Sequence, residues 1–238
     1  MTENIERMRT YIRGLDEKLS GGIPKNFIIL VSGTHGTMKT SLCFNILYNL
    51  GVKENIKSLY LSFEQERNSL FQQMVSLGMN AEEIEKHILV VDIGVLRKLL
   101  KEANKPVNKA GWIELVLTHI QTVKDTDKIE VVVLDSLNAF GAFPKEPLTR
   151  DDTYHFFARL RNISATVFLI SEMTMGSNVF EIFGGEPYLC DGIIHLDLRR
   201  EKMALKLMLG IIKMRATEIS RVYTPLVYDK KGFTVIPE

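Results

Sequence analysis

Short runs that are apolar almost throughout constrain this chain most. "NFIILVS", "KSLYLSF", "ILVVDI", "EVVVLDS" and "ATVFLIS" recur along it, and all lack a regular polar alternation. A strand turns successive side chains to opposite faces, so such a run must bury both. Segments with helical spacing separate them. "TSLCFNILYNLG" puts Leu42, Ile46 and Leu50 on one face, with Leu47 beside it and Gly51 as a stop. "NSLFQQMVSLG" does the same with Leu70, Met74 and Leu77, and "NAEEIEKH" opens on a capping-box pattern, Asn80 with Glu83. "WIELVLTHIQTV" and "RDDTYHFFARLRNIS" are two further helices. Apolar strands separated by helices predict an α/β fold with a mainly parallel central sheet covered on both faces.

The last fifty or so residues differ. "GIIHLDLRR", "ALKLMLGIIKMR" and "FTVIPE" follow one another with few helix signals and predict an antiparallel extension. No repeat or low-complexity tract divides the chain. "KEANKPVNKAG" is the most linker-like stretch and reads as a surface loop, so residues 1–238 are expected to form one domain, with 1–13 as a lead-in.

Composition narrows the function classes. The 30 basic and 29 acidic residues give a net charge of +1, which supplies no global attraction to nucleic acid or anionic membrane. The two cysteines, Cys43 and Cys190, lie in apolar surroundings and suggest buried thiols in a reducing cytoplasm. The start of the chain has no apolar signal core, and no apolar run is long enough to span a bilayer, so a cytoplasmic protein without membrane contact is expected.

"VSGTHGTMKTSLC" carries the chemistry. A phosphate loop needs a strand, a turn aiming backbone N–H groups inward, and a helix N-terminus, and all three occur here in order. Lys39 would reach the β and γ phosphates, and the Thr40 hydroxyl would ligate Mg²⁺. Gly33 and Gly36 allow close backbone approach, with Thr34, His35, Thr37, Met38 and Ser41 completing the loop. Met38 stands where the usual G-x-x-x-x-G-K-[ST] pattern has glycine. That substitution is expected to need a negative φ and a side chain pointing away from the nucleotide. The bland alternative is an ordinary strand-to-helix turn with an incidental lysine. Two strand ends add acids: Asp135 in "EVVVLDS" suits the Mg²⁺ shell, and Glu64 in "LYLSFEQE" suits a water-orienting role. Alone, Asp135 could cap a turn and Glu64 could be a solvated loop acid. Strand ends in such sheets face the ligand crevice, so the three together point to a nucleotide site.

With these pieces the sequence resembles the RecA/RadA superfamily, and most closely the KaiC-like ATPases. "GLDEKLSGGIPKNFIILVSG" resembles the family's opening, "LYLSFEQE" its glutamate-bearing strand, and "VVVLDSLNAF" its Asp-Ser motif. "FLISEM" and "LCDGIIHLDL" resemble its late strands, and "IIKMRAT" its Lys-x-Arg-x-Thr signature. The resemblance runs from about Gly14 to the C-terminus. It implies a RecA-like P-loop NTPase core that binds ATP and Mg²⁺ and hydrolyses ATP, and the departures named below point to a slow rate. Gly33, Gly36, Lys39 and Thr40 would hold phosphate and metal, Asp135 would support the metal, and Glu64 would serve as base. It also implies a homo-oligomeric ring, a hexamer, with a regulatory or signalling role exercised through a partner protein. By the same resemblance Lys213 and Arg215, in "KMRAT", would reach a neighbour's γ-phosphate, and their lack of an obvious target in their own subunit adds to the expectation of a ring. The bland alternative is that they guard an edge strand.

Three departures bear on rate: Met38 for glycine, Gln65 where the clock protein has a second glutamate, and Ala216 where glycine is usual. "GGEPYLCDG" has no Ser or Thr where a clock-like autokinase has its paired phosphoacceptor hydroxyls. A non-hydrolysing nucleotide switch is therefore one alternative. A single-stranded DNA-binding repair accessory is another, disfavoured because "EMTMGSNVFEIFGGEPY" has no Lys or Arg, although Phe180, Phe183 and Tyr188 could stack on bases. Arg159 and Arg161 read as solvated helix charges or as lining for a ring channel. The five histidines show no metal spacing.

Overall fold

A computed structural model describes residues 5–102, 108–174, 179–229 and 231–236. In chain order the elements are β1 (Arg7–Met8), α1 (Leu15–Lys18), β2 (Ile23–Pro24), β3 (Ile28–Gly33), α2 (Lys39–Glu54), β4 (Ser58–Ser62), α3 (Arg67–Ser76), α4 (Ala81–His87), β5 (Ile88–Asp92) and α5 (Ile93–Glu102). There follow α6 (Lys109–Asp127), β6 (Val131–Asp135), α7 (Leu137–Ala142), α8 (Arg150–Asn162), β7 (Thr166–Glu172), α9 (Glu186–Leu189), β8 (Gly192–Glu201), β9 (Ala204–Met214), β10 (Thr224–Asp229) and β11 (Gly232–Val235). Residues 103–107, within the stretch read as a surface loop, lie outside the described residues, as do 1–4 of the lead-in and 175–178 of the segment weighed for DNA.

Nine of the described strands form one sheet in the order β11-β10-β9-β8-β3-β7-β6-β4-β5. The strands from β8 to β5 run parallel, and β9, β10 and β11 are antiparallel. The uniformly apolar runs are explained by what they bury. Ile29 and Val31 of β3 join one core with Leu42, Ile46 and Leu50 of α2. Ile28 and Leu30 join the opposite core with Trp112, Val116 and Ile120 of α6 and Phe157 of α8. The same division holds for Val131 and Val133 against Val132 and Leu134 in β6. Each such side chain contributes about 1.5–3 kcal/mol by leaving water, which only a sheet covered on both faces can collect.

The expected antiparallel extension begins one strand later than the sequence suggests. β8 pairs parallel with β3, with Ile29 opposite Gly192, and the reversal comes at the β8–β9 hairpin. Consecutive strands without an intervening helix look alike in sequence whichever neighbour the first one takes. At α4, Asn80 accepts from the Glu83 N–H at 3.1 Å, but the Glu83 carboxylate turns to His87, so only half of the expected capping box forms. A full box closes α8 instead, between Thr149 and Asp152. Among the described residues no helix is long and apolar enough to cross a membrane, and Cys43 and Cys190 are free and buried.

Candidate functional site

Parallel strands that end together leave a crevice at their C-terminal ends. Here β3 ends at Gly33, β4 at Ser62, β6 at Asp135 and β7 at Glu172. A cleft of about 340 Å³ at these ends is lined by loop residues 36–41 together with Glu64, Gln73, Leu77, Asp135 and Glu172. Lys39 and Thr40, Glu64, and Asp135, from three separate stretches of the sequence, therefore share one cavity. Lys213 and Arg215 do not line it.

The loop between β3 and α2 is tightly built. A Cβ at Gly33 would lie 2.4 Å from the Leu196 carbonyl oxygen and 2.8 Å from Thr37 Oγ1, so nothing larger than glycine fits. Gly36 has φ +78° and needs glycine's freedom. The Thr37 hydroxyl donates to the Thr34 carbonyl at 2.7 Å. Lys39 Nζ donates to the carbonyls of Gly33 at 2.9 Å and Thr34 at 2.8 Å. Burial lowers the Lys39 pKa, against the pull of Glu172, Asp135 and Glu64. An ammonium held this way is poorly solvated and gains from an anion brought close. Ser41 is buried in the first turn of α2. His35 is exposed and sits 3.1 Å from the Glu172 carboxylate.

Met38 departs from expectation. It adopts φ 61°, ψ 27°, the left-handed conformation of the glycine it replaces, rather than a negative φ. The side chain packs partly against the α2-side core while also lining the cleft. Holding a non-glycine residue there costs about 1–2 kcal/mol.

Asp135 lines the same cleft as the lysine. Its Oδ2 accepts from Thr40 Oγ1 at 2.7 Å and from the Tyr60 hydroxyl at 2.5 Å. Burial raises its pKa, and the Tyr60 and Thr40 hydrogen bonds offset part of that rise. A buried carboxylate beside a threonine hydroxyl is the hard-oxygen donor set that suits Mg²⁺, and the residues present fit that ion. The hydroxyl of Ser136, the next residue, donates to Glu64 Oε1. Gln65 turns away, donating to Ser69 Oγ at 2.9 Å and Gln73 Oε1 at 3.1 Å.

The expectation that Lys213 and Arg215 lack a target in their own subunit is overturned. Lys213 Nζ donates to the carbonyls of Pro187 at 2.8 Å and Cys190 at 2.7 Å. Arg215 reaches Asp191 Oδ1 at 2.7 Å, and Arg161 reaches Asp191 Oδ2 at 2.8 Å. Asp191 is only 5% exposed and also accepts from the Ile28 N–H at 3.0 Å. Burial would raise its pKa, but the Arg161, Ile28 and Arg215 bonds outweigh it and the net shift is downward. Arg159 pairs with Glu114 at 2.8 Å. Both arginines weighed for a channel therefore have partners within the chain. Of the aromatics weighed for stacking, Phe183 lies over Gly141 and Phe180 sits edge-on to His195, whereas Tyr188 is exposed. Among the described residues no cluster of His, Cys, Asp and Glu could hold a metal by itself.

Sequence reading gave no role to Tyr60, Ser136, Glu172 or Asp191. Ser136 and Asp191 lie within the quoted "VVVLDSLNAF" and "LCDGIIHLDL", and Tyr60 within "LYLSFEQE". Their partners are distant in the chain, so no local spacing exposes them.

The mainly parallel sheet, with its switch to antiparallel pairing beyond β8, defines a RecA-like α/β fold of the KaiC type. The chain belongs to the KaiC ATPase family, whose sequence model matches residues 8–238. Over 241 residues it is 27% identical to a circadian clock oscillator protein KaiC of Picosynechococcus sp., covering 99% of this chain but 45% of that protein. It thus spans about half the length of that relative. It is 29% identical over 240 residues to a UPF0273 protein of Thermotoga maritima, covering 98% of this chain and 97% of the relative. A KaiC-like protein from Pyrococcus horikoshii superposes with a TM-score of 0.84 over 98% of this chain and 100% of its own, at 24% identity, a likeness of fold.

Proposed function

We propose that the chain is one ATPase domain that binds Mg·ATP and hydrolyses it slowly to ADP and phosphate. The observation that carries this is the meeting of Lys39, Thr40, Glu64 and Asp135 in one cleft at the ends of β3, β4 and β6. Loop residues 33–41 would wrap the phosphates, with Lys39 as a point charge. Thr40 and Asp135 would hold Mg²⁺. When bound, that ion would supply positive charge to the phosphate oxygens. Glu64 would orient the attacking water and take its proton as the water oxygen bonds to the γ-phosphorus and the bridging oxygen leaves with ADP.

In this reading nucleotide lies between subunits of a homo-oligomeric ring, a hexamer, and the nucleotide state is passed to a partner protein. Lys213 and Arg215 would act on the neighbour's nucleotide. To do so they must leave the carbonyls of Pro187 and Cys190 and the carboxylate of Asp191. The test is phosphate release with Mg·ATP alongside sizing by light scattering. Wild type is expected to turn over. Lys39→Ala should not, Glu64→Gln should keep only a small residual rate, and Lys213→Ala should assemble yet lose turnover. No turnover in wild type, with ATP-dependent assembly lost in Lys39→Ala, would replace the enzyme with a nucleotide switch.

A further inference from the structure

Glu64 sits past the end of β4 and is exposed. A glutamate there has several rotamers, and a base must stand within hydrogen-bond reach of the proton it takes. Among the described residues one group holds it. The Ser136 hydroxyl donates to Glu64 Oε1, leaving Oε2 for a water proton. Ser136 is itself fixed. It is fully buried, and its Oγ accepts from the Ala139 N–H at 3.3 Å as N-cap of α7, which directs the hydroxyl proton outward to Glu64. The residue before it, Asp135, is tied to Thr40. Gln65 cannot take over, since its amide is committed to Ser69 and Gln73 on α3.

From this geometry we infer that Ser136 is a positioning residue for hydrolysis: its hydroxyl aims the Glu64 carboxylate at the attacking water and links the water-activating group to the metal-holding strand end. The inference rests on the ATPase reading above. A misplaced base costs roughly one to two orders of magnitude in rate. Nucleotide contacts are untouched, so the loss should fall on kcat.

The test measures steady-state kcat and KM for Mg·ATP, together with equilibrium nucleotide binding. The proteins are wild type, Ser136→Ala, Ser136→Thr, Glu64→Gln and the Ser136→Ala/Glu64→Gln double variant. Ser136→Ala should lower kcat by about tenfold or more, with KM and binding within about twofold of wild type. Ser136→Thr, which keeps both donor and cap, should restore the rate. In single-turnover measurements the alanine change should add nothing on top of Glu64→Gln. A role confined to capping α7 would instead persist in the Glu64→Gln background. That outcome, or an unchanged kcat in Ser136→Ala beside an active wild type, overturns this inference alone. An inactive wild type overturns the ATPase reading and this inference with it.

Discussion

Replacing Tyr60 by phenylalanine isolates one bond in the cleft. The ring is fully buried and packs 5.2 Å from Phe44, so its packing survives the change. What is lost is the 2.5 Å hydrogen bond to Asp135 Oδ2. Asp135 is only 6% exposed, and burial already pushes its pKa up. The Tyr60 bond lowers it, as does the Thr40 bond, which remains. A hydrogen bond to a charged group contributes about 1.5–3 kcal/mol, and the lower end applies here because Thr40 still donates. The sign follows directly. The carboxylate must be ionised to help hold a cation, so affinity falls as pH drops through the Asp135 pKa, and loss of Tyr60 moves that fall to higher pH. Mg·ATP binding should then be about tenfold weaker than wild type on the acid side and converge with it at alkaline pH. Calorimetric titration of ATP with Mg²⁺ from pH 5 to 8 reads this. Superimposable wild-type and Tyr60→Phe curves across that range would refute the assignment of Tyr60 as the donor that keeps Asp135 ionised.

Further outcomes are expected from three other substitutions. Gly33→Ala places a Cβ 2.4 Å from a backbone carbonyl, which cannot yield as a flexible side chain would; it should cost about 1–3 kcal/mol in urea unfolding and abolish nucleotide binding. Asp191→Ala breaks a buried carboxylate from two arginines and the Ile28 N–H, and should cost about 3 kcal/mol, the low end of the range for a broken buried pair. The low end applies because the Arg161 and Arg215 side chains are 40% and 48% exposed and regain water. Arg159→Ala, which breaks an exposed pair, should cost about 0.5 kcal/mol or less. Because folding lowers the Asp191 pKa from 3.8, its contribution is present above that pH and is lost as pH falls through the folded value, so the Asp191→Ala deficit should shrink there. Equal unfolding midpoints for Asp191→Ala and Arg159→Ala would contradict the account of this clasp.

Much of this molecule was legible in its sequence because the relevant physics is local. Uniformly apolar runs such as residues 27–31 and 131–134 can be satisfied only by a sheet buried on both faces, and helical spacing in residues 40–51 fixes what covers it. The strand–loop–helix around Lys39 is likewise a continuous stretch, as are the strand ends bearing Glu64 and Asp135. Tertiary structure decided what depends on partners far away in the chain. It paired β8 parallel with β3, a choice made by a neighbour more than 150 residues earlier. It gave Met38 a left-handed backbone, although a methionine there argues for a negative φ. It supplied Tyr60 and Ser136 to Asp135 and Glu64, and it turned Lys213 and Arg215 onto 187–191. The order of the chain settles which groups are available and which faces are apolar. Only the packed fold settles which buried donor meets which acceptor, because each must find a partner once water is excluded.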